Sequence, residues 1–293
     1  MLSYRHAFHA GNHADVLKHL TLFLTLSYLQ QKPTPLQIID THAGRGLYRL
    51  STPEALKKAE FADGIGRLWR LREAKAPMPE GIEPWLDALG AFQAKAALSV
   101  YPGSPAQIKS RLRPEDKFIA IERHPNEIKN LRECLGRPGR SNRQIRVIEG
   151  DGFAALKGLL PPPSRRGLTL IDPPYERGEE YRAAADAAED AIKRFPTGVL
   201  LLWYPRIARL ESRDLERRLK KRLTAPWLAA TLDVAPPPKD GYGLYGSGLF
   251  VVNPPWMLEA QLRQALPFLA QTLQLSADAP ARTPFSLECS PAA

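Results

Sequence analysis

Short apolar runs rich in β-branched residues alternate along most of the chain with longer segments of helical periodicity. This alternation is typical of a mainly parallel sheet with helices on both faces, and the sequence therefore predicts an α/β fold. The predicted strands lie at residues 36–39, 118–121, 145–148, 168–171, 199–203, 228–234 and 249–252.

The first helix is predicted to begin after Asn12, because asparagine is a favoured N-cap residue. Asp15, three residues further on, resembles the second member of a capping box. An apolar stripe follows from Val16 to Tyr28, and Pro33 marks the end of the helix.

The last two predicted strands are joined by a loop rich in proline and glycine that is too short for a crossover helix. They are therefore predicted to form an antiparallel hairpin. Its loop, residues 235–247, carries Lys239, Tyr242 and Tyr245, a mixture that suits RNA phosphates and bases. The alternative is a solvent loop whose tyrosines pack locally.

One interval breaks the rhythm of strands and helices. Asp40 and Glu122 follow successive predicted strands but lie 82 residues apart, whereas a βαβ unit needs about 30 residues. We interpret residues 51–112 as a helical insertion subdomain, with residues 1–50 and 113–275 forming the main domain. Residues 276–293, rich in proline, serine and alanine, are predicted to be a loose C-terminal tail.

The composition narrows the class of protein. The 293 residues include 41 Lys and Arg against 31 Asp and Glu, a net charge of +10. Such a surplus suggests a polyanionic partner, although an ordinary basic protein remains the alternative. No apolar run approaches the ~20 residues of a membrane span, no signal peptide is evident, and Cys134 and Cys289 form no motif. We expect a cytoplasmic protein without membrane contact.

Four predicted strands are followed by an acidic residue, namely Asp40, Glu122, Asp151 and Asp172. In an open parallel sheet the ligand lies beyond the carboxyl ends of the strands. A single such residue is often a helix cap, but four in succession favour a site for a ligand with hydroxyls, amines or positive charge. The turn at residues 40–46 lacks the full glycine pattern of dinucleotide-binding proteins. Glu122, at the end of the next predicted strand, suits the ribose hydroxyls of a nucleoside.

The segment Asp172-Pro173-Pro174-Tyr175 is the most specific motif. Two prolines fix φ and remove amide donors, so the loop is stiff and presents a carboxylate and carbonyl oxygens. These acceptors match the two N–H groups of an adenine N6 amine, and Tyr175 offers a stacking surface. The similar segment 253–256 (Asn-Pro-Pro-Trp) follows the final strand and is interpreted as a structural turn.

Histidines and basic runs give weaker indications. The spacing of His6, His9 and His13 allows a metal site, but the cap at Asn12 interrupts a common helix, and we expect no metal. Two basic runs could contact phosphates or could equally be solvated surface. They comprise Arg137, Arg140, Arg143 and Arg146 in one segment, and Arg217, Arg218, Lys220, Lys221 and Arg222 in the other.

Five segments of the chain closely resemble the bacterial rRNA large subunit methyltransferase J family. They are residues 1–6 (MLSYRH), 8–19 (FHAGNHADVLKH), 40–44 (DTHAG), 101–105 (YPGSP) and 171–175 (IDPPY). The similarity extends over nearly the whole chain and weakens in the tail. The N-terminal block is highly specific, whereas the Asp-Pro-Pro-Tyr motif alone would indicate only an amino-methyltransferase.

This resemblance implies a Rossmann-like class I fold that uses S-adenosylmethionine (SAM), with a mostly parallel sheet, a final antiparallel strand and a small helical insertion. It also implies methylation of N6 of one adenine in 23S rRNA. We expect the protein to act as a monomer and to need no metal, because the sulfonium group of SAM already activates the methyl group. By motif position, the residues expected to contact SAM are His19, His42, Ser104, Glu122, Asp151 and Gly152. The catalytic segment would be Asp172, Pro173, Pro174 and Tyr175, while Tyr4 and Lys18 would lie on the substrate side.

Two other functions compete with this interpretation. A DNA adenine-N6 methyltransferase uses the same motif, but no separate domain that could read duplex DNA is evident. A non-catalytic RNA-binding protein could retain the fold, but the intact series of strand-end acids argues against it.

Overall fold

A computed structural model of the protein describes residues 4–136, 143–238, 243–275 and 283–291. Within these residues the strands are β1 (Gln37–Asp40), β2 (Leu47–Arg49), β3 (Val100–Pro102), β4 (Lys117–Glu122), β5 (Ile145–Glu149), β6 (Gly167–Ile171), β7 (Val199–Arg206), β8 (Trp227–Asp233), β9 (Gly246–Val252) and β10 (Phe285–Cys289). A 3-10 helix at His6–Phe8 precedes the α-helices, which are α1 (His13–Leu29), α2 (Pro53–Lys58), α3 (Glu60–Asp63), α4 (Ile65–Glu73), α5 (Ile82–Gly90), α6 (Ser104–Ser110), α7 (Pro125–Leu135), α8 (Gly152–Leu159), α9 (Gly178–Arg194), α10 (Leu210–Arg222) and α11 (Leu258–Leu273).

Eight of these strands form one sheet in the order β10-β8-β9-β7-β6-β1-β4-β5. The five strands from β7 to β5 are parallel, and β9 lies antiparallel between β7 and β8. The α/β class, the mostly parallel sheet and the predicted β8–β9 hairpin are confirmed. Because chain order reverses on the two sides of β1, the carboxyl ends of β1, β4 and β6 meet at a crevice.

The sheet is covered on both faces. Helices α1, α6 and α11 contact it and one another on one face, and α7 packs against α6. Helices α9 and α10 contact β7, with α8 against α9. Residues of β6 and β7 are buried almost continuously, as expected of strands covered on both faces.

The prediction of a loose tail is wrong for the strand β10. Phe285–Cys289 pairs antiparallel with β8, so that Leu287 lies opposite Ala230. The edge of β8 offers unpaired backbone groups, and such an edge is a ready template for a further strand. Composition alone gave no sign of this pairing.

Helix α1 is buried along most of its length, with every residue from His13 to Leu26 removed from solvent. The predicted cap is confirmed, because the Asn12 side chain accepts hydrogen bonds from the backbone N–H groups of Ala14 and Asp15. The carboxylate of Asp15 does not complete a capping box and instead accepts the N–H of Gly11 at 2.8 Å. Charged residues in a buried helix require partners, and these lie in the site described below.

The interval 51–112 holds α2 to α6, together with β3, which pairs with β2 in a separate two-stranded sheet. Of these helices, α6 packs on β1 and β4 of the main sheet. Arg67 of α4 donates to the carbonyl groups of Thr272 and Gln274, which fastens the interval to the end of α11. The division into a main domain and an insertion subdomain stays a prediction.

No helix in the described ranges combines the length and the apolarity needed to cross a lipid bilayer.

Candidate active site

A cavity of about 880 Å³ opens at the carboxyl ends of β1, β4 and β6. This volume lies within the usual range of small-molecule sites, about 300–1,000 Å³. Its lining contains all twelve residues predicted from the sequence, although their individual roles remain predictions. They are Tyr4, Lys18, His19, His42, Ser104, Glu122, Asp151, Gly152, Asp172, Pro173, Pro174 and Tyr175.

The carboxylate of Asp172 is held by Lys18. The Lys18 Nζ atom lies 2.5 Å from Asp172 Oδ2 and 2.9 Å from Asp15 Oδ1. Burial alone would lower the pKa of Lys18, but the two carboxylates outweigh it and raise that pKa above its ordinary value. Lys18 is therefore protonated and cannot act as a base. Asp172 Oδ1 has no hydrogen-bond partner in the described part of the chain and can accept one from a ligand.

Asp15 links the N-terminal segment to this ion pair. Its Oδ2 atom is 2.9 Å from His6 Nε2, and His6 Nδ1 is 2.9 Å from the hydroxyl of Tyr4. Burial opposes ionisation of Asp15, yet His6 and Lys18 together hold its pKa well below the usual range. A continuous chain of polar contacts thus runs from Tyr4 through His6, Asp15 and Lys18 to Asp172.

Glu122 ends β4 and is oriented by backbone donors. Its Oε2 atom accepts the N–H of Gly44 at 2.8 Å, and Oε1 accepts the N–H of His124 at 2.6 Å. Gly44 has a φ of 63°, and a Cβ atom there would lie 2.5 Å from the Tyr48 hydroxyl, so this turn requires glycine. Burial raises the pKa of Glu122 against the opposing effect of the backbone N–H donors.

Asp151 and Gly152 begin α8 at the same crevice. Asp151 Oδ1 accepts the N–H of Ala154 at 3.0 Å, as an N-cap does, and the other oxygen lies 3.8 Å from Arg123. A Cβ atom at Gly152 would lie 2.0 Å from the carbonyl oxygen of Thr41. Gly152 is therefore required by the packing of α8 against the end of β1, whatever it contacts in the cavity.

The Ser104 hydroxyl is hydrogen-bonded to a buried acid. Its hydroxyl donates to Asp40 Oδ2 at 2.7 Å, and Asp40 is wholly buried behind the cavity lining. Burial raises the pKa of Asp40 to about 7. Of the four strand-end acids, Asp40 is thus the one that supports the wall and does not line it.

His19 and His42 of the cavity lining are uncharged at neutral pH. Burial lowers the pKa of His42 to about 4 and that of His19 to about 3. His19 Nδ1 lies 2.7 Å from the Tyr101 hydroxyl, and His42 packs edge-on against Phe153. These two neutral imidazoles add no repulsion toward a cationic ligand.

The three histidines whose spacing allows a metal site have separate surroundings. His6 pairs with Asp15, His9 Nδ1 lies 2.9 Å from Glu60 Oε2, and His13 Nε2 is buried without a partner in the described residues. No group of three or more His, Cys, Asp or Glu residues in the described ranges could hold a metal ion.

Tyr175 differs from the stacking surface expected. Its side chain is 4% exposed, its hydroxyl donates to the carbonyl of Trp203 at 2.7 Å, and its ring lies 4.4 Å from that of Tyr181. Its φ of 51° is rare for a residue other than glycine, and the prolines before it and these contacts hold it there. The ring can offer little surface to a base, so its stacking role stays a prediction.

Two other segments that the sequence analysis singled out contribute little to the cavity. Residues 253–256 do not line the cavity, and Asn253 donates to the carbonyls of Pro196 and Gly198, as expected of a structural turn. Of the hairpin loop, Gly243 and Leu244 reach the cavity, whereas Lys239 and Tyr242 lie outside the described residues. Tyr245 is buried, and its interpretation as an RNA-stacking surface is wrong.

In the described residues, neither of the two basic runs lines the cavity. Arg137 and Arg140 lie outside the described residues, and neither Arg143 nor Arg146 lines the cavity. On α10, Arg217 and Arg218 pair with Asp214, and the other paired cations are Lys220 and Arg222. The helix run therefore fits the ion-paired surface that was one of its two interpretations.

The sequence did not identify Asp15 and Trp203 as members of the site. Trp203 lines the cavity near the end of β7, and Lys18 Nζ lies 5.2 Å from the centre of its ring. One helix face carries Asp15, Lys18 and His19 at positions i, i+3 and i+4, and this spacing could have indicated that the three side chains lie together. The spacing did not decide the role of Asp15, because that residue also fitted a helix cap.

Most of the chain is similar to proteins of one family. The family model described as "Ribosomal RNA large subunit methyltransferase D, RlmJ" matches residues 33–282. The curated Ribosomal RNA large subunit methyltransferase J of Escherichia coli (strain K12) is 40% identical over 273 residues, 93% of this chain and 94% of that protein. Its Haemophilus influenzae namesake is 39% identical over 274 residues, with 93% and 94% covered.

A solved structure shares the fold at similar length. The crystal structure of a protein from Legionella pneumophila superposes with a TM-score of 0.82 at 31% identity, and covers 96% of this chain and 98% of its own. The likeness in sequence and in fold therefore extends over both the sheet and the interval 51–112.

Proposed function

The chain belongs to the ribosomal RNA large subunit methyltransferase J family, and on this premise we propose that it methylates N6 of one adenine in 23S rRNA. The observation that carries the proposal is the Asp172-Pro-Pro-Tyr loop in the cavity, with one carboxylate oxygen fixed by Lys18 and the other available. Adenine N6 offers two N–H donors, and this loop offers acceptors without competing amide donors.

The cavity fits SAM by the chemistry of its lining. Glu122 and Asp151 are acceptors for hydroxyl and amino groups, the apolar walls include Ala43 and Phe153, and the neutral His19 and His42 do not repel a cation. We assign SAM to His19, His42, Ser104, Glu122, Asp151 and Gly152, as the family motifs imply. When bound, SAM supplies a methyl group on a positively charged sulfur atom.

The protein's own residues orient the acceptor base. Adenine N6 is a poor nucleophile because its lone pair is delocalised into the ring. Hydrogen bonds from N6 to Asp172 Oδ1 and to a proline carbonyl favour a pyramidal nitrogen whose lone pair is free to react. Positioning of this kind can supply much of a rate enhancement.

Proton handling follows from the ion pair. Lys18 is protonated and fixes one oxygen of Asp172, so the second oxygen holds the N6 proton by a hydrogen bond during transfer. The N6 proton becomes acidic only as the new bond forms, and Asp172 need not be a strong base. The target base must leave its stack to enter the cavity, as a loop or single-stranded RNA allows.

The decisive experiment is tritium transfer from labelled SAM to unmodified 23S rRNA, with mass mapping of the product. We expect label in 23S rRNA as N6-methyladenine at one position, and none above background with the Asp172→Asn variant. Transfer to DNA and not to rRNA would favour the DNA methyltransferase, and SAM-independent RNA binding without transfer would favour the non-catalytic protein.

We further propose that the protein acts in the cytoplasm as a monomer without metal. Light scattering should then give about the chain mass of 32.6 kDa, and transfer should be unchanged by a chelator.

A further inference from the structure

Two arginines beside the cavity have no acidic partner among the described residues. Arg177 follows the Asp172–Tyr175 loop by two residues, lines the cavity and is exposed. Arg209 follows β7, is also exposed, and its Nη1 atom donates to the carbonyl of Glu176 at 3.4 Å. Within the described ranges, no carboxylate oxygen lies within 4.0 Å of either guanidinium.

Glu180 does not form an ion pair with the Arg177 side chain. Glu180, which also lines the cavity, uses Oε2 to accept the backbone N–H of Arg177 at 3.3 Å. The carboxylate therefore fastens the start of α9 and leaves the guanidinium of Arg177 unpaired.

Two arginines of α10 differ from Arg177 and Arg209 because they are ion-paired. Further along this helix, Arg217 and Arg218 share Asp214, at 2.9 and 2.8 Å from their Nε atoms. A paired arginine must give up its carboxylate before it binds another anion, whereas an unpaired one keeps its donors for a new partner. Arg177 and Arg209, beside the Asp172–Tyr175 loop, thus keep guanidinium groups that are available to an anion.

We infer that Arg177 and Arg209 bind backbone phosphates of the rRNA strand on either side of the target adenine. This inference rests on the proposed function, because it is the adenine in the cavity that brings its flanking phosphates to the rim. The hydrogen bond from Arg209 to the Glu176 carbonyl joins both arginines to one loop. It uses one of the five guanidinium N–H groups and leaves the others for phosphate.

The test compares the Arg177→Gln, Arg209→Gln double variant with wild type in steady-state methyl transfer to a 23S rRNA transcript. We expect KM for RNA to rise about tenfold, as loss of charge-assisted hydrogen bonds implies. The kcat value and the Kd for SAM should stay within about twofold. The association constant for RNA falls as salt rises, and a plot of its logarithm against log salt concentration gives a negative slope. We expect the magnitude of this slope to decrease by about 0.7 per arginine, or about 1.4 for both, as for contacts to single strands.

The matched control is the Arg217→Gln, Arg218→Gln double variant. It removes the same amount of charge, but the two arginines that it removes are ion-paired with Asp214. It should bind RNA like wild type. The Arg177→Gln single variant loses no hydrogen bond of its guanidinium and guards against misfolding. An unchanged KM and salt slope in both the single and the double variant would overturn the inference. Failure of wild type to methylate any RNA would instead refute the proposed function.

Discussion

Replacement of Lys18 by methionine tests whether its ammonium group balances two buried carboxylates. Lys18 and Asp15 are 3% and 1% exposed, and Asp172 is 15% exposed. Methionine retains the apolar stem and removes only the charge. Breaking a buried ion pair costs about 3–5 kcal/mol, because an uncompensated charge remains in a poorly solvated place. We expect Lys18→Met to lose about that much free energy of unfolding, measured by urea denaturation at pH 7.

A second substitution separates charge balance from simple packing. In the Lys18→Met background, Asp15→Asn removes one of the two stranded negative charges. The double variant should therefore be more stable than Lys18→Met alone by about 1 kcal/mol or more, since an unpaired buried charge costs more than a lost hydrogen bond. Methyl transfer should not recover, because Asp172 has still lost the group that fixes its orientation.

The reasoning is refuted if Lys18→Met is as stable as wild type, or if the double variant is less stable than the single one.

Three further outcomes follow from the site. Asp172→Ala should lower kcat about 10²–10³-fold with SAM affinity largely intact, and near-normal turnover by the folded variant would remove this residue from the mechanism. Glu122→Gln should weaken SAM about 10- to 150-fold in calorimetry, the loss expected for 1.5–3 kcal/mol of charge-assisted hydrogen bonding, and unchanged binding would contradict its assignment. Burial lowers the pKa of His13 to about 4 and that of His19 to about 3, so the unfolded chain takes up more protons and stability falls as pH drops below about 6.5. Between pH 7.5 and 5.5 each histidine should remove about 1.4 kcal/mol, but the raised pKa of Asp40, about 7, acts in the opposite direction. The fall should therefore be clearest in an Asp40→Asn variant, and an unfolding free energy without pH dependence there would contradict the prediction.

The sequence determined the features that depend on neighbouring residues. The apolar runs located β1, β4 and β6 to within a residue or two, because strands buried on both faces read as continuous apolar segments. Asn12 was correctly identified as the cap of α1, and the acids after the strands, with the Asp172 loop, located the crevice. Strand ends come together in any parallel sheet, so these positions needed no knowledge of distant contacts.

Only the tertiary structure decided which polar groups meet. Lys18 and Asp172 are 154 residues apart in sequence, and nothing local pairs them. Asp15 fitted a helix cap equally well until burial of α1 on all sides forced its charge toward Lys18 and His6. Strand β10 likewise depended on an edge that β8 leaves open.

Burial of aromatic side chains was also beyond the sequence. Tyr175 and Tyr245 stand next to glycine or proline in apparent loops, yet both pack inside the protein, against Trp203 and under Arg206 respectively. A local pattern records which residues can face a ligand, but the partner that covers a side chain comes from another part of the chain. The chemistry of the site could therefore be predicted from its motifs, whereas its charge balance and accessible surfaces were set by the fold.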